Sequence, residues 1–191
     1  MSDITLFAKR WLLNPRDNGA VVPSSDALAR AMTQFIDPAG GSVLELGPGT
    51  GVFTRRILAA GLPAQDLILL EKHQDFVTHL HEKFPCVRVE QLDATQLASA
   101  KLLQAEQEFQ AVISGLPLLA MSPRAQLKVL RGCFRFLRSE AALYQFTYHW
   151  RCPVSAPVMK RLGLVAEPIA RIWHNFPPAS VFRISRSPDF D

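Results

Sequence analysis

The chain has no apolar run approaching 18 residues, so nothing in it is long enough to cross a bilayer as a helix. Its first residues lack the charged start, apolar core and small-residue cleavage site of a signal peptide, and the expectation is a cytoplasmic protein. Cysteine is scarce: Cys86, Cys133 and Cys152 are odd in number, far apart and without metal-ligand spacing. They read as reduced thiols, and no metal is expected. Repeats, low-complexity tracts and long linkers are missing too. Acidic residues fall short of basic ones, 17 against 21, which leaves a net charge of +4 and a pI near 9.2. That balance favours an anionic partner, nucleic acid or a membrane surface, without choosing between them.

The residues that are present suit one domain with a substantial core: 191 residues, 48% hydrophobic and 20% charged. From residue 25 to about 150, helical and strand patterns alternate, the mark of an α/β protein with a doubly wound, mainly parallel sheet. Ser24 and Ser25 can cap a helix running to about Ile36, where Asp37-Pro38 stops it. Strands are expected near 42–47, 67–72, 87–92, 109–113 and 142–148. Helices are expected from about Val52 to Ala60, from Ser122 to Leu137, and briefly near Pro157–Leu162. Val165–His174 and Ser180–Ser185 read as a closing β-hairpin. Ahead of all this, Ile4, Phe7, Ala8 and Trp11 fall at helical spacing with Lys9 and Arg10 opposite, an amphipathic helix broken by Asn14-Pro15. Residues 1–24 are thus expected to form a helix and lid, and 25–191 the main domain. The helix can cover one end of the domain, or lie in a lipid headgroup layer with Trp11 at the boundary.

The chemistry gathers around Val43-Leu44-Glu45-Leu46-Gly47-Pro48-Gly49-Thr50-Gly51, an apolar strand that ends beside a carboxylate and turns through glycines at alternate positions. Glycine has no Cβ, so backbone there can approach a ligand closely. The spacing differs from the dinucleotide fingerprint, whose third glycine would fall at Val52. Two later strands end in carboxylates as well, Glu71 and Asp93. A carboxylate at such an end can accept from both hydroxyls of a ribose, the role open to Glu71, while Asp93 is placed to receive an adenine amino group. The run resembles the first motif of class I S-adenosylmethionine (SAM) methyltransferases. That resemblance implies a Rossmann-like sheet of seven strands with helices on both faces, and SAM as cofactor. It places Gly47, Gly49 and Gly51 along the methionine part and Glu45 at its amino group, with Glu71, Lys72, Asp93, Ala94 and Ser114 completing the cofactor side.

Ligands of open α/β sheets lie beyond the carboxyl ends of the strands, and the fourth strand ends there in Ser114-Gly115-Leu116-Pro117-Leu118. In many amino-group methyltransferases the equivalent loop grips the target nitrogen; Ser114, Leu116 and Pro117 are the acceptor-side candidates here. Ser114 stands where those enzymes carry Asn or Asp, and no aromatic follows Pro117, which argues against a flipped base as substrate. Tyr148 and His149, at the end of the fifth strand, could take a proton from an amine, make cation–π contact with it, or simply pack.

Two further blocks carry a narrower resemblance. Trp11-Leu12-Leu13-Asn14-Pro15-Arg16 through Gly19-Ala20-Val21-Val22-Pro23-Ser24-Ser25, and the tail Trp173-His174-Asn175-Phe176-Pro177-Pro178-Ala179, resemble the ends of bacterial phospholipid N-methyltransferases. Membership would imply a peripheral enzyme at the inner face of the membrane that methylates phosphatidylethanolamine. An rRNA adenine dimethyltransferase relative, and a SAM-binding module without catalysis, are the competing readings. Nucleic acid is disfavoured by the missing aromatic loop and by the absence of a separate RNA-binding domain.

Overall fold

The computed structural model describes residues 25–100, 108–173, 175 and 177–188; the helix and lid expected over residues 1–24 lie outside the described residues. Seven strands form one sheet in the order β3-β2-β1-β4-β5-β7-β6. They are β1 (Val43–Leu46), β2 (Leu67–Glu71), β3 (Arg88–Gln91), β4 (Phe109–Ser114), β5 (Leu137–Thr147), β6 (Leu164–Ile172) and β7 (Ala179–Arg186). The first five run parallel, and β7 inserts antiparallel between β5 and β6. The closing hairpin read from the sequence is therefore present.

Sequence and packing agree in the centre of the sheet. Val43-Leu44-Glu45-Leu46 and Leu67-Ile68-Leu69-Leu70-Glu71 are buried at every position, as continuous apolar runs in a sheet covered on both faces must be. Alternate residues feed two cores. On one face Val43, Leu67, Leu69 and Ile113 pack with α1 (Asp26–Thr33), α2 (Val52–Ala59) and α3 (Gln74–Lys83), through Met32, Ile57 and Leu80. On the other, Leu44, Leu46, Ile68, Leu70 and Val112 meet Val129, Leu130 and Cys133 of α4 (Pro123–Phe136) and Val158 of α5 (Ala156–Arg161). Burial drives the Cys133 thiol up to about 12, so this cysteine is an inert core residue, as a reduced, unpaired thiol should be.

Capping follows the expected chemistry. The Ser25 hydroxyl accepts from the Leu28 N–H at 3.2 Å and Ser122 from the Ala125 N–H at 3.3 Å, each cap contributing about 1 kcal/mol. The first helix stops at Thr33, three residues short of Ile36, and its C-cap Gln34 hands over to a turn before Asp37-Pro38. Helix α3 was not evident in the sequence, because only Phe76, Val77 and Leu80 of its ten residues face the core. Strand β5 starts at Leu137, five residues ahead of the Ala142 start expected from its apolar run. Arg138, Ser139 and Glu140 are exposed there, and the register to β4 shifts between Phe109 and Ala111. Arg186 of β7 holds this junction: its guanidinium donates to the carbonyls of Phe134, Leu137, Arg138 and Ser139.

Candidate functional site

All five parallel strands release their chain at one edge, so the loops after β1, β2, β3, β4 and β5 crowd together there. The loop after β1 is the glycine turn. Gly47, Gly49 and Gly51 have φ of 61°, 55° and 77°, the left-handed region where a Cβ is strained. A Cβ placed on Gly49 would have no atom within 4 Å, so the turn presents bare backbone to open space there. A Cβ on Gly115 would sit 2.6 Å from the Gly47 carbonyl oxygen, so the loop after β4 lies directly against the glycine turn. The loops after β1 and β4 are one contiguous surface.

Glu71 ties this surface to β2. One carboxylate oxygen accepts from the His73 N–H at 2.9 Å and the other from the Gly49 N–H at 3.3 Å. A carboxylate oxygen has a second lone pair, so the side chain that shapes the turn still has acceptor capacity toward a ligand. Glu45 is fully buried beneath the turn. Its Oε2 accepts from the Thr54 hydroxyl at 2.7 Å, while Oε1 has no partner. Burial raises its pKa to about 8; bonds from Thr54 oppose the shift and the nearby Glu71 charge adds to it. Asp93 turns toward its own loop: Oδ1 accepts from the Thr95 N–H and hydroxyl at 2.9 and 2.8 Å, and Oδ2 stands 3.3 Å from the Lys72 ammonium. Burial works against its charge, but the Thr95 bonds and Lys72 outweigh it and hold the pKa below the ordinary value. Asp93 is thus a cap as well as a strand-end carboxylate, with Ala94 buried beside it.

At the end of β4 Ser114 is buried, and its Oγ accepts from the Leu116 N–H at 3.4 Å. The sequence reading missed Gln145. This residue is 1% exposed, sits in β5 in register with Ser114, and donates from Nε2 to the carbonyls of Leu116 at 3.0 Å and Phe146 at 2.7 Å. Its Oε1 has no partner. The available signal was a carboxamide inside the apolar run Ala-Ala-Leu-Tyr-Gln-Phe.

Tyr148 follows β5 and packs on the core that holds Phe53 and Phe146. Its ring meets Phe146 edge-on at 5.6 Å, Phe146 meets Phe53 of α2 at 5.7 Å, and its buried hydroxyl makes no hydrogen bond of ordinary geometry. Burial pushes the phenol up, with only partial offset from Asn175, which makes Tyr148 a poor base at neutral pH. His149 Nδ1 accepts from the Arg151 N–H at 3.1 Å, and the ring stacks on Trp150. Asn175 was part of the tail motif but had no assigned task. It is buried, accepts from the Ser25 N–H at 3.1 Å and donates to the Pro177 carbonyl at 2.7 Å. The tail block thereby meets the last residue of the N-terminal block at the same edge of the sheet.

Residues 43–140, from β1 to the start of β5, match the family described as a methyltransferase domain. The chain belongs to that family. It is 28% identical over 154 residues to an ornithine lipid N-methyltransferase of Singulisphaera acidiphila, covering 77% of this chain and 79% of that protein. It is also 41% identical over 61 residues to ribosomal RNA small subunit methyltransferase A of Maridesulfovibrio salexigens, where only 32% of this chain and 22% of the relative align.

Among solved structures, a TehB-like SAM-dependent methyltransferase of Corynebacterium glutamicum superimposes with a TM-score of 0.62 at 15% identity, covering 95% of this chain and 96% of that one. TrmN of Thermus thermophilus gives 0.60 at 17% identity, over 83% of this chain but just 48% of TrmN, about half its length. Phosphoethanolamine N-methyltransferase 1 of Haemonchus contortus, bound to phosphoethanolamine and S-adenosylhomocysteine, gives 0.60 at 12% identity over 100% of this chain and 51% of that one. The protein is a SAM-dependent methyltransferase of class I, Rossmann-like fold, and S-adenosyl-L-methionine is its cofactor. The site fits that cofactor on its own terms: open backbone at Gly49, a buried carboxyl oxygen of Glu45 lacking a partner, and acceptor capacity on Glu71. Among the described residues no group of His, Cys, Asp and Glu could hold a metal, and no helix is long and apolar enough to cross a membrane.

Proposed function

We propose that the enzyme methylates the amine headgroup of a phospholipid, phosphatidylethanolamine being the reading carried by the N-terminal and tail blocks, at the inner membrane surface. The observation that carries it is the acceptor loop. Leu118 follows Pro117 and is buried, so the loop offers no aromatic on which a flipped base could stack, and Gln145 and the Leu118 N–H hold it in place through the Leu116 carbonyl. The relative that spans most of both chains acts on a lipid, which supports the same choice.

When bound, SAM supplies a methyl group activated on a sulfonium. The chain's own part is to hold and to aim. Gly47, Gly49 and Gly51 would admit the methionine portion, Glu45 its amino group and Glu71 the ribose hydroxyls, with Lys72, Asp93 and Ala94 bordering the base. The Leu116 carbonyl accepts from Gln145 Nε2 at 3.0 Å and from the Leu118 N–H at 2.9 Å, which fixes the loop that would present an amine in front of Ser114 and Pro117. Orientation of this kind supplies several kcal/mol of the barrier. The amine must reach the loop as a free base.

The test is incubation with radiolabelled SAM and either phosphatidylethanolamine liposomes or rRNA, followed by separation of lipid from aqueous product. Label in the lipid phase is expected. Label confined to the RNA would replace the lipid reading with the rRNA methyltransferase one.

A further inference from the structure

The charge of the chain is divided along the sheet. Residues 25–108, which build β1 to β3 and their helices, hold 7 Lys and Arg against 11 Asp and Glu. Residues 109–188, which build β4 to β7, hold 11 Lys and Arg against only Glu140 and Glu167. Neither acidic residue lies at the edge where the site opens: Glu140 is near the start of β5, and Glu167 is within β6, paired with Arg183 of β7.

That edge of the basic half carries three exposed large apolar side chains: Leu119 after β4 (60% exposed), Trp150 after β5 (60%) and Trp173 in the β6–β7 turn (67%). Each tryptophan has a guanidinium over its ring, Arg151 at 4.1 Å from the Trp150 centroid and Arg171 at 4.6 Å from that of Trp173. Arg124 lies exposed in the first turn of α4 nearby. Exposed tryptophan is costly in water but suits the headgroup boundary of a bilayer, where its ring is half apolar and half wet. Arginine beside it adds attraction to anionic lipid.

We propose that this rim, Leu119, Trp150 and Trp173 with Arg151 and Arg171, is the face on which the folded domain docks to an anionic phospholipid bilayer. The inference rests on the lipid-methylating reading, and it places a membrane contact on the domain itself, separate from residues 1–13. Geometry requires a contact here. A lipid headgroup reaches only a short way from its bilayer, so an enzyme that methylates it must press against the membrane the edge of the sheet that holds the Ser114–Pro117 loop. The rim occupies that edge, on the basic half.

The experiment uses the full chain with vesicles of equal parts phosphatidylcholine and phosphatidylglycerol, read by co-sedimentation. SAM affinity is the folding control, and methylation of phosphatidylethanolamine in detergent micelles is the activity control. Trp150→Ala with Trp173→Ala, and separately Arg151→Glu with Arg171→Glu, should each weaken vesicle binding about tenfold or more while both controls stay at wild-type values. Added salt should mimic the arginine pair and spare most of the tryptophan contribution. If the tryptophan pair lowers SAM affinity, the arginine pair decides the matter: both residues are exposed, although Arg171 also donates to the Ser180 hydroxyl at 3.2 Å. Vesicle binding equal to wild type in the arginine pair overturns the docking face, and so does a wild-type chain that ignores vesicles but binds rRNA. The two readings separate: lipid labelling in micelles with vesicle-indifferent variants sinks the face alone. Variant-sensitive vesicle binding without any lipid labelling sinks the substrate assignment alone.

Discussion

Glu45 sits in an environment that is costly for a carboxyl group. A carboxyl group with no exposure, bonded through Thr54 alone and with one oxygen lacking a partner, is tolerated in the central strand because it can keep its proton. Its folded pKa of about 8 lies above the ordinary 4.5. As pH rises between those values the unfolded chain loses this proton first, so the folded state holds more protons and stability falls. The loss is at most about 1.4 kcal/mol per pH unit, and it levels off above the folded pKa. Urea midpoints across that window should therefore decline in wild type and flatten in Glu45→Gln; parallel curves for the two would mean the carboxyl is not buried as described. Gln145 acts at the same scale. Gln145→Leu removes one of the two donors that hold the Leu116 carbonyl, and a shift of about an ångström in the loop after β4 can cost about a hundredfold in turnover. Steady-state kinetics should show kcat falling with SAM affinity near wild type, whereas a loss of both together would make Gln145 a packing residue.

At the scale of elements, the glycine turn makes a contrast between neighbours. Alanine at Gly49 meets no atom, so Gly49→Ala costs only the left-handed backbone, about 1–2 kcal/mol, while its methyl intrudes where the cofactor comes close. Alanine at Gly51 carries the same strain and also drives into the Phe84 ring. Thermal melts should rank Gly51→Ala clearly below Gly49→Ala. Calorimetry should find SAM binding weakened in Gly49→Ala despite its milder melt. An unchanged affinity there would detach the turn from the cofactor. Those glycines, Glu45 and Glu71 were legible because a strand, a turn and a helix follow one another in sequence, so local spacing describes the geometry. Asp93 follows β3 as the sequence suggests, but its bonds to Thr95 and Lys72 needed coordinates. Gln145 and Asn175 act across 29 and 150 residues, on Leu116 and Ser25, and no local pattern reports such a contact. Helix α3 escaped notice for the opposite reason: its signal is local but faint, three apolar residues against a polar majority.

For the whole molecule, Asn175 joins regions that are distant in sequence. Replacing it with alanine leaves the Ser25 N–H and the Pro177 carbonyl without partners in a buried setting, a loss of about 1–3 kcal/mol. Asn175→Asp keeps an acceptor for Ser25 and loses the donor to Pro177, so urea unfolding should place it between wild type and Asn175→Ala. Equal midpoints for all three would show that the two ends of the domain are joined by other contacts. The position of β7 has a different sort of consequence. It is made after β6 yet lies inside it, with β5 on its other flank. While the chain is being synthesised, β5 therefore presents Ala-Leu-Tyr-Gln-Phe as an open sheet edge, and β6 has no final neighbour until β7 exists. Such an unpaired apolar edge is a template for another chain, so the interval between finishing β5 and finishing β7 is when a nascent molecule is most exposed to misassembly. A cut just before Ala179 would open the sheet between β5 and β6, where the same cut in most sheets would only trim a border strand.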